Sequence, residues 1–205
     1  ERDVLDWLAA GADVFRQSAL PGRGVKLYVN LIESAFYSFW RTTVPWFEET
    51  FTYEERLKWA VFDVHWYSAW SPHCKGVITG GEGYRCSDDM GSLRRTMRHC
   101  ARDSYAATFQ SRYPTGLRAN TEFSVGTNEY VLEACSDVDV TGAFMQEQLR
   151  AFNDFGIESF FWTWRMPYGR NFESGWSLKR LARREVPRPP NPCGPEYSNV
   201  TGVVV

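Results

Sequence analysis

The sequence predicts an α/β fold in which helices cover a parallel sheet of four strands. Four short apolar runs of strand length occur along the 205 residues, and a helical or mixed segment separates each from the next. Strands that alternate with helices form parallel sheets with right-handed crossovers. Because the chain has no internal repeat and no interdomain linker, we expect a single domain with a sizeable core.

The first part of the chain predicts a helix, a strand and a short capped helix. Asp3 to Ser18 is amphipathic, and Pro21-Gly22-Arg23-Gly24 ends that pattern. Val25 to Ile32 is rich in β-branched and apolar residues, which favours the first strand. An aromatic segment follows, which we interpret as a loop. Thr52 and Glu55 then have the spacing of a capping box that opens a short helix.

The middle of the chain contains the second and third predicted strands. Trp59 to Tyr67 is the second strand, and the Gly-rich segment Ser68 to Asp88 is a long loop. Loops of this length in compact domains are usually functional or are insertions. Met90 to Gln110 predicts a helix, and Leu117 to Phe123 predicts the third strand.

The last part of the chain contains two helices and the fourth strand. Thr141 to Phe155 is a helical segment that Gly156 ends as a C-cap. Ile157 to Trp162 is the fourth strand, and Gly175 to Arg183 is a final short helix. The segment from Val186 onward is Pro-rich, and we expect it to be extended.

Composition excludes some classes of partner. The formal net charge is -2, from 23 Lys plus Arg against 25 Asp plus Glu, which gives no reason to expect nucleic acid. The sequence contains no stretch of 18 apolar residues, so it does not predict a membrane span. The chain has nine tryptophans and an aromatic share of 16%. Some of these rings must lie in the core, but flat rings also pack well on the C–H faces of sugars. For any single ring, however, a core position is the more probable interpretation.

The cysteines indicate an oxidising, extracellular setting. There are five, so at least one is free or pairs outside the chain, and an N-glycosylation sequon begins at Asn199. Their positions are Cys74, Cys86, Cys100, Cys135 and Cys193. Proximity on one loop favours a Cys74–Cys86 disulfide. Zinc bound by His73, His99 and nearby cysteines is the alternative, although no C-x-x-C spacing supports it.

Polar and aromatic groups lie at the ends of three predicted strands. They are found in Val64-His65-Trp66-Tyr67, Thr121-Glu122-Phe123-Ser124 and Phe160-Phe161-Trp162-Thr163-Trp164. Four strand–helix units make half of an eight-stranded barrel, in which the chemistry lies at the carboxyl ends of the strands. Taken singly, these residues are as well explained as core or surface groups. Together they predict a sugar-cleaving pocket.

Five motifs in fixed order carry a family resemblance. They are His65-Trp66-Tyr67, Glu122-Phe123-Ser124, Phe161-Trp162-Thr163-Trp164-Arg165, Trp176-Ser177 and Cys193-Gly194. In this order and spacing, the chain resembles the C-terminal half of a glycoside hydrolase family 5 enzyme, closest to the exo-1,3-β-glucanases (glucan 1,3-β-glucosidases). The resemblance implies a TIM (β/α)8 barrel of which residues 1–194 supply roughly strands five to eight. Residues 195–205 would be an extended tail.

The resemblance assigns roles to the strand-end residues. Glu122 would be the nucleophile that forms a covalent glycosyl-enzyme, as in retaining glycosidases. His65 and Tyr67 would orient this carboxylate and contact the sugar, and strand alternation places both on one face.

The resemblance also assigns sugar contacts and one disulfide. Trp162 would form the platform beneath the ring that is cleaved, Trp70 would lie at the mouth of the cleft, and Trp176 would contact substrate or serve a structural role. By the same resemblance, Cys100 would pair with Cys193.

One departure from the family pattern concerns the general acid/base. Retaining glycosidases use two carboxyl groups about 5 Å apart, and the family places the second in an Asn-Glu-Pro motif after strand four. No Asn-Glu-Pro occurs here: Asn128-Glu129 follows the nucleophile, and Arg2 comes after Glu1. We therefore expect the first half of the barrel to come from a second chain, a second copy or a longer precursor.

The sequence thus predicts a secreted or cell-wall retaining glycosidase that acts on β-glucan, with a β-1,3-linked glucan as the expected substrate, or on its oligosaccharides. It requires no cofactor and no metal. The alternative is a non-catalytic carbohydrate-binding or structural component derived from such a hydrolase. An unrelated α/β binding module is the third possibility, and it would leave His65, Glu122 and Trp162 far apart.

Overall fold

The structure, a computed structural model, describes residues 2–30, 36–71, 74, 85, 88–126, 140–166 and 175–182. Within these ranges, four strands form one sheet in the order β1-β2-β3-β4. The strands are β1 (Leu27–Asn30), β2 (Ala60–Asp63), β3 (Leu117–Phe123) and β4 (Ile157–Phe161). Every neighbouring pair is parallel, which confirms the predicted α/β class and parallel sheet.

Helices connect and cover these strands. They are α1 (Arg2–Gln17), α2 (Phe36–Thr50), α3 (Tyr53–Lys58), α4 (Met90–Arg98), α5 (Ala107–Arg112), α6 (Val140–Asp154) and α7 (Leu178–Ala182). A π-helical segment, His99–Ala106, joins α4 to α5. The single helix predicted there is therefore continuous, and only its hydrogen-bonding pattern changes from α to π and back. Within the described ranges, no helix is both long enough and apolar enough to cross a membrane.

The capping box opens α3 as predicted. The Thr52 hydroxyl accepts a hydrogen bond from the Glu55 main-chain N–H at 3.3 Å, and the Glu55 carboxylate accepts one from the Thr52 N–H at 2.9 Å. The start of α3 is therefore fixed by local sequence, because two otherwise unpaired helix N–H groups are satisfied within four residues.

The aromatic segment predicted to be a loop is instead the helix α2. Its aromatic and β-branched residues have weak helix propensity, and Pro45 lies inside it. Burial outweighs these preferences, because Trp40, Val44, Phe47 and Phe51 recur at helical spacing and all lie in the core. The prediction was wrong because tertiary packing decides the conformation of this segment.

Strand alternation divides the sheet into an apolar and a polar face. On β2, Ala60 and Phe62 pack in the core between sheet and helices. The Phe62 ring centroid lies 5.0 Å from that of Phe47 and 5.0 Å from that of Tyr113. Asp63, the residue after Phe62, faces the other side, where its carboxylate contacts polar groups of β1 and β3.

That polar face is concave. The Tyr28 hydroxyl of β1 donates to a carboxylate oxygen of Glu158 on β4 at 2.5 Å, and the Lys26 ammonium donates to the other oxygen. β1 and β4 are the outer strands of the four, so in a flat sheet they would lie roughly 14 Å apart with parallel side chains. Direct contact between them requires the sheet to roll.

A disulfide fastens the segment after β2 to the α4–α5 helical run. Cys74 is bonded to Cys100, and their Cα atoms are 5.9 Å apart, within the range that a disulfide spans. A cysteine forms only one disulfide, so the predicted Cys74–Cys86 and Cys100–Cys193 pairings are both wrong. The Cys74–Cys86 pairing was predicted from proximity in the sequence. In the structure, the helical run that contains Cys100 packs against the segment after β2, so Cys100 lies next to Cys74.

Candidate active site

The ends of β2 and β3 bring three of the predicted site residues together. The Tyr67 hydroxyl donates to Oε2 of Glu122 at 2.6 Å. Nδ1 of His65 lies 3.3 Å from the same oxygen. The Glu122 side chain is 31% exposed and that of His65 is 16% exposed, so the group is half-buried but open to a ligand. The predicted convergence of the carboxylate with His65 and Tyr67 is therefore present in the structure.

A break in strand alternation aims Glu122 at this site. Consecutive strand residues normally point to opposite faces. Thr121 contacts His65 and Glu122 also contacts His65, so both side chains lie on the concave side. The pairing of β3 with β4 shifts register between Asn120 and Phe123, as at a β-bulge. Bulges are common beside active sites, where they redirect a side chain.

Asp63, which sequence reasoning missed, lies directly behind His65. Its side chain is 1% exposed. It accepts hydrogen bonds from the Thr121 main chain at 2.8 Å, from the Thr121 hydroxyl and from Asn30 Nδ2 at 2.9 Å. Burial alone would raise the pKa of Asp63, but bonds to His65, Thr121 and Asn30 outweigh it, so the pKa lies below its ordinary value. The sequence did contain a signal for Asp63: it precedes His65 by two residues, and in an extended chain such residues point to the same side.

Side chains that donate to main-chain carbonyl groups hold the ends of β2 and β3 in place. With its amide nitrogen facing the carbonyl groups, the fully buried Asn120 donates to Glu122 at 2.8 Å and to Val64 at 3.0 Å. The buried Tyr105 hydroxyl also donates to the Val64 carbonyl, at 3.3 Å. The backbone beneath the carboxylate is thus fixed from the core side, which limits the positions Glu122 can adopt.

Three aromatic rings form a cluster beside Glu122. The ring centroid of Tyr67 lies 4.8 Å from that of Trp70 and 5.0 Å from that of Trp176, and the two indoles are 5.8 Å apart. Trp70 is 71% exposed. Burial, followed by the bond to Glu122, raises the pKa of the Tyr67 hydroxyl well above its ordinary value, so it remains a donor. The exposed indole of Trp70, near a carboxylate that is held in place, is suited to bind a sugar.

Two glycines allow Trp176 to reach this cluster. A Cβ on Gly126 would lie 2.2 Å from the indole nitrogen of Trp176, and one on Gly175 would lie 2.5 Å from the Gly126 Cα. The Val125 N–H donates to the Gly175 carbonyl at 3.0 Å, and the Thr163 N–H donates to the Trp176 carbonyl at 2.8 Å. Trp176 is therefore clamped between the ends of β3 and β4.

Trp162 directly follows β4, the strand next to the one that carries Glu122. Its N–H donates to the Phe123 carbonyl at 2.7 Å, and its side chain is 45% exposed. This places its backbone one residue from that of the carboxylate across the sheet. Its function as a sugar platform stays a prediction.

Two other carboxylates on the concave face are unsuited to donate a proton. Burial would raise the pKa of Glu158, but bonds from Lys26 and Tyr28 hold it below its ordinary value. The pKa of Asp63 is also lowered. A general acid needs the opposite shift.

The structure also bears on the zinc alternative. Cys74 and Cys100 are joined to each other and so provide no thiolate for a metal. Across the part of the chain that the structure describes, no group of three or more His, Cys, Asp or Glu residues could hold a metal ion.

Comparison with known proteins adds no relative. No protein-family model matches the sequence, and no curated protein matches it significantly. Several predicted features lie outside the described residues, namely Cys86, Cys135, Cys193 and Asn199. Functional inference therefore depends on the geometry of the site and on the motif resemblance.

Proposed function

We propose that this chain is part of a retaining glycoside hydrolase that acts on a β-glucan, with Glu122 as the nucleophile. The observation that carries the proposal is the Glu122 carboxylate, which Tyr67 and His65 hold at the carboxyl ends of parallel strands. The exposed indole of Trp70 lies against Tyr67. A rigidly held carboxylate beside aromatic rings is the arrangement that covalent sugar cleavage requires.

In this proposal the four strands are half of a (β/α)8 barrel. The rolled sheet, its polar concave face and the position of Glu122 at the strand ends all agree with such a barrel. Among the described residues, β1 and β4 each pair on one side only. The outward face of α1 exposes Val4, Trp7 and Val14. Further strand–helix units, on this polypeptide or on a second chain, would cover these surfaces.

The reaction follows from the contacts of Glu122. Both contacts are to Oε2, so we assign Oε1 as the oxygen that attacks the anomeric carbon. As that bond forms, the bond to the glycosidic oxygen breaks, and a carboxylic acid on the remaining half of the barrel protonates the leaving sugar. Water then attacks the glycosyl-enzyme, and the same acid/base takes its proton.

The substrate is assigned from the aromatic cluster and the resemblance. Trp70 and Trp176 offer flat faces for glucosyl units beyond the one that is cleaved, and Trp162 is the expected platform for the cleaved ring. The β-1,3 linkage follows from the resemblance alone. The Cys74–Cys100 disulfide agrees with a secreted or cell-wall location.

A non-catalytic carbohydrate-binding component is the second candidate. One observation favours it: the contacts of the Glu122 carboxylate within the described residues are to an imidazole and a phenol, not to a second carboxyl group. Such a protein would bind sugar with the same aromatic cluster and would not cleave it.

Labelling with 2-deoxy-2-fluoro-β-glucosyl fluoride distinguishes the two candidates. Fluoride leaves without help from a general acid, so Glu122 alone can form the glycosyl-enzyme, and the fluorine at carbon 2 slows its hydrolysis. We expect the intact mass of the chain to increase by one fluoroglucosyl group. Glu122→Gln should not react, whereas Glu158→Gln, the matched control on the same face, should react like the native chain.

Circular dichroism of both variants shows whether they retain the native fold. A β-1,3-linked glucose disaccharide should slow labelling more than a β-1,4-linked one. If a folded chain binds the disaccharide but gains no mass, the protein is a binding component and the proposed catalysis is wrong.

A further inference from the structure

A buried anion without a role in the scheme above lies behind the nucleophile. The Asp63 carboxylate lies 3.5 Å from Nε2 of His65, and the Thr121 hydroxyl lies between them, 3.0 Å from that nitrogen. The opposite ring nitrogen, Nδ1, faces Glu122 at 3.3 Å. His65 thus separates two carboxylates, of which only one is open to a ligand.

The hydrogen bonds assign the protons of this group. An ionised Asp63 can only accept, so the single hydroxyl proton of Thr121 goes to its Oδ2. The hydroxyl oxygen then accepts from His65, which requires a proton on Nε2. Nδ1 also faces an acceptor, the carboxylate of Glu122, and needs a proton for a favourable contact. The geometry is satisfied when both ring nitrogens carry protons.

We propose that Asp63 is a positioning residue that acts on Glu122 through Thr121 and His65. It fixes the Thr121 hydroxyl and so the proton on His65 Nε2, and its charge balances that of the imidazolium. His65 Nδ1 then donates to Glu122 and, with Tyr67, holds Oε2 in place. This inference rests on the proposed function, because it assigns a role in the same reaction.

The surroundings of Asp63 suit this role. The carboxylate accepts from the backbone and side chain of Thr121 on β3 and from Asn30 on β1. It is thereby fixed by groups on both neighbouring strands. Among the residues that the structure describes, the charged and titratable groups that face His65 are Asp63 of β2, Glu122 of β3 and, beyond the shared oxygen of Glu122, Tyr67.

Nitrogen-15 NMR of the histidine rings tests the proton assignment without any measurement of activity. The chain has three histidines, and a His65→Gln variant identifies the signals of His65. At neutral pH we expect both nitrogens of His65 to be protonated in the native chain. In Asp63→Asn the ring should carry a single proton. A native His65 with an unprotonated Nε2 would overturn the proposal.

The rate of fluorosugar labelling tests the positioning role. Asp63→Asn and Thr121→Val should lower the maximal labelling rate about a hundredfold, the cost of a misplaced reacting group, with little change in the concentration of reagent that gives half this rate. Thr121→Ser keeps the hydroxyl and should restore most of the rate. Equal loss in Thr121→Ser and Thr121→Val, or a native rate in either Asp63→Asn or Thr121→Val, would contradict the inference.

The two experiments separate failure of the inference from failure of the proposed function. If the native chain is not labelled, the proposed catalysis fails and the NMR result still tests the proton assignment. If the native chain is labelled and Asp63→Asn is labelled equally fast, the catalysis stands and the positioning role of Asp63 fails.

Discussion

Two glutamates on the concave face make the same first contact but have different surroundings. Tyr67 donates to Glu122 at 2.6 Å, and Tyr28 donates to Glu158 at 2.5 Å. Glu158 is also ion-paired with Lys26, whereas Glu122 faces His65. A lysine pair compensates a carboxylate electrostatically and holds it between the two outer strands. The two side chains are similarly exposed, at 31% for Glu122 and 35% for Glu158. The comparison teaches that neither a tyrosine contact nor exposure distinguishes the proposed nucleophile; the second partner does.

Glu122 and Glu158 also differ in their position along the strands. Glu158 is paired with Ala119, three residues before Glu122 on the neighbouring strand. At about 3.3 Å per residue, Glu122 lies roughly 10 Å closer to the carboxyl ends of the strands. Glu158 therefore belongs to the wall of the concave face and Glu122 to its mouth, where parallel α/β enzymes carry their chemistry.

The matched tyrosines give the largest expected difference in activity between the two regions. Tyr67→Phe removes a donor from Glu122, the proposed nucleophile, and we expect fluorosugar labelling to slow about a hundredfold, the usual cost of one preorganised donor. Tyr28→Phe removes the corresponding donor from Glu158 and should leave the labelling rate unchanged. Equal slowing in both variants would show that the two carboxylates are not functionally distinct.

Two exposed tryptophans sharpen the comparison at the level of binding. Trp70 is 71% exposed and contacts Tyr67, whereas Trp7 is 73% exposed on α1. Trp70→Ala should weaken oligosaccharide binding about tenfold, which corresponds to about 1.4 kcal/mol of stacking. Trp7→Ala should bind as the native chain does. Isothermal titration calorimetry with a β-1,3-glucan oligosaccharide measures the affinity of both variants. Unchanged affinity in Trp70→Ala would show that the aromatic cluster does not bind the sugar.

The smallest expected effect is on stability. Glu158→Gln should lower the free energy of unfolding by about 1 kcal/mol after allowance for solvent screening, because it breaks the pair with Lys26. The folded pKa of Glu158 is lowered, so this stabilisation is present above the ordinary carboxyl pKa and is lost as pH falls through the folded value. Urea unfolding at neutral and acid pH should therefore show a difference between variant and native chain only at neutral pH. A constant difference would mean that ionisation of Glu158 does not stabilise the fold.

Much of the fold could be predicted because local signals agreed with the tertiary structure. Leu117–Phe123 is a strand over the residues predicted, and the Thr52 capping box opens its helix. α2 escaped prediction because its burial pattern competed with poor helix propensity and an internal proline. The Cys74–Cys100 pair depends on how the loop folds back on the helix, which spacing along the chain does not reveal.

The site was predicted in part. Alternation along a strand predicted through Tyr67 placed His65 and Tyr67 on one face. In the structure β2 ends at Asp63, earlier than predicted, and the two residues still meet at Glu122. Glu122 reaches them only because the register of β3 shifts, and its assignment came from the motif resemblance. Asp63 was overlooked because a buried carboxylate is recognised by its donors, and these come from two other strands that are distant in sequence.

Peptide mapping of the fluorosugar-labelled chain tests the central claim most directly. After proteolysis and tandem mass spectrometry, we expect the fluoroglucosyl group on Glu122, within the peptide that contains β3. A label on Glu158, or on any residue away from the ends of β2 and β3, would contradict the assignment of Glu122 as the nucleophile.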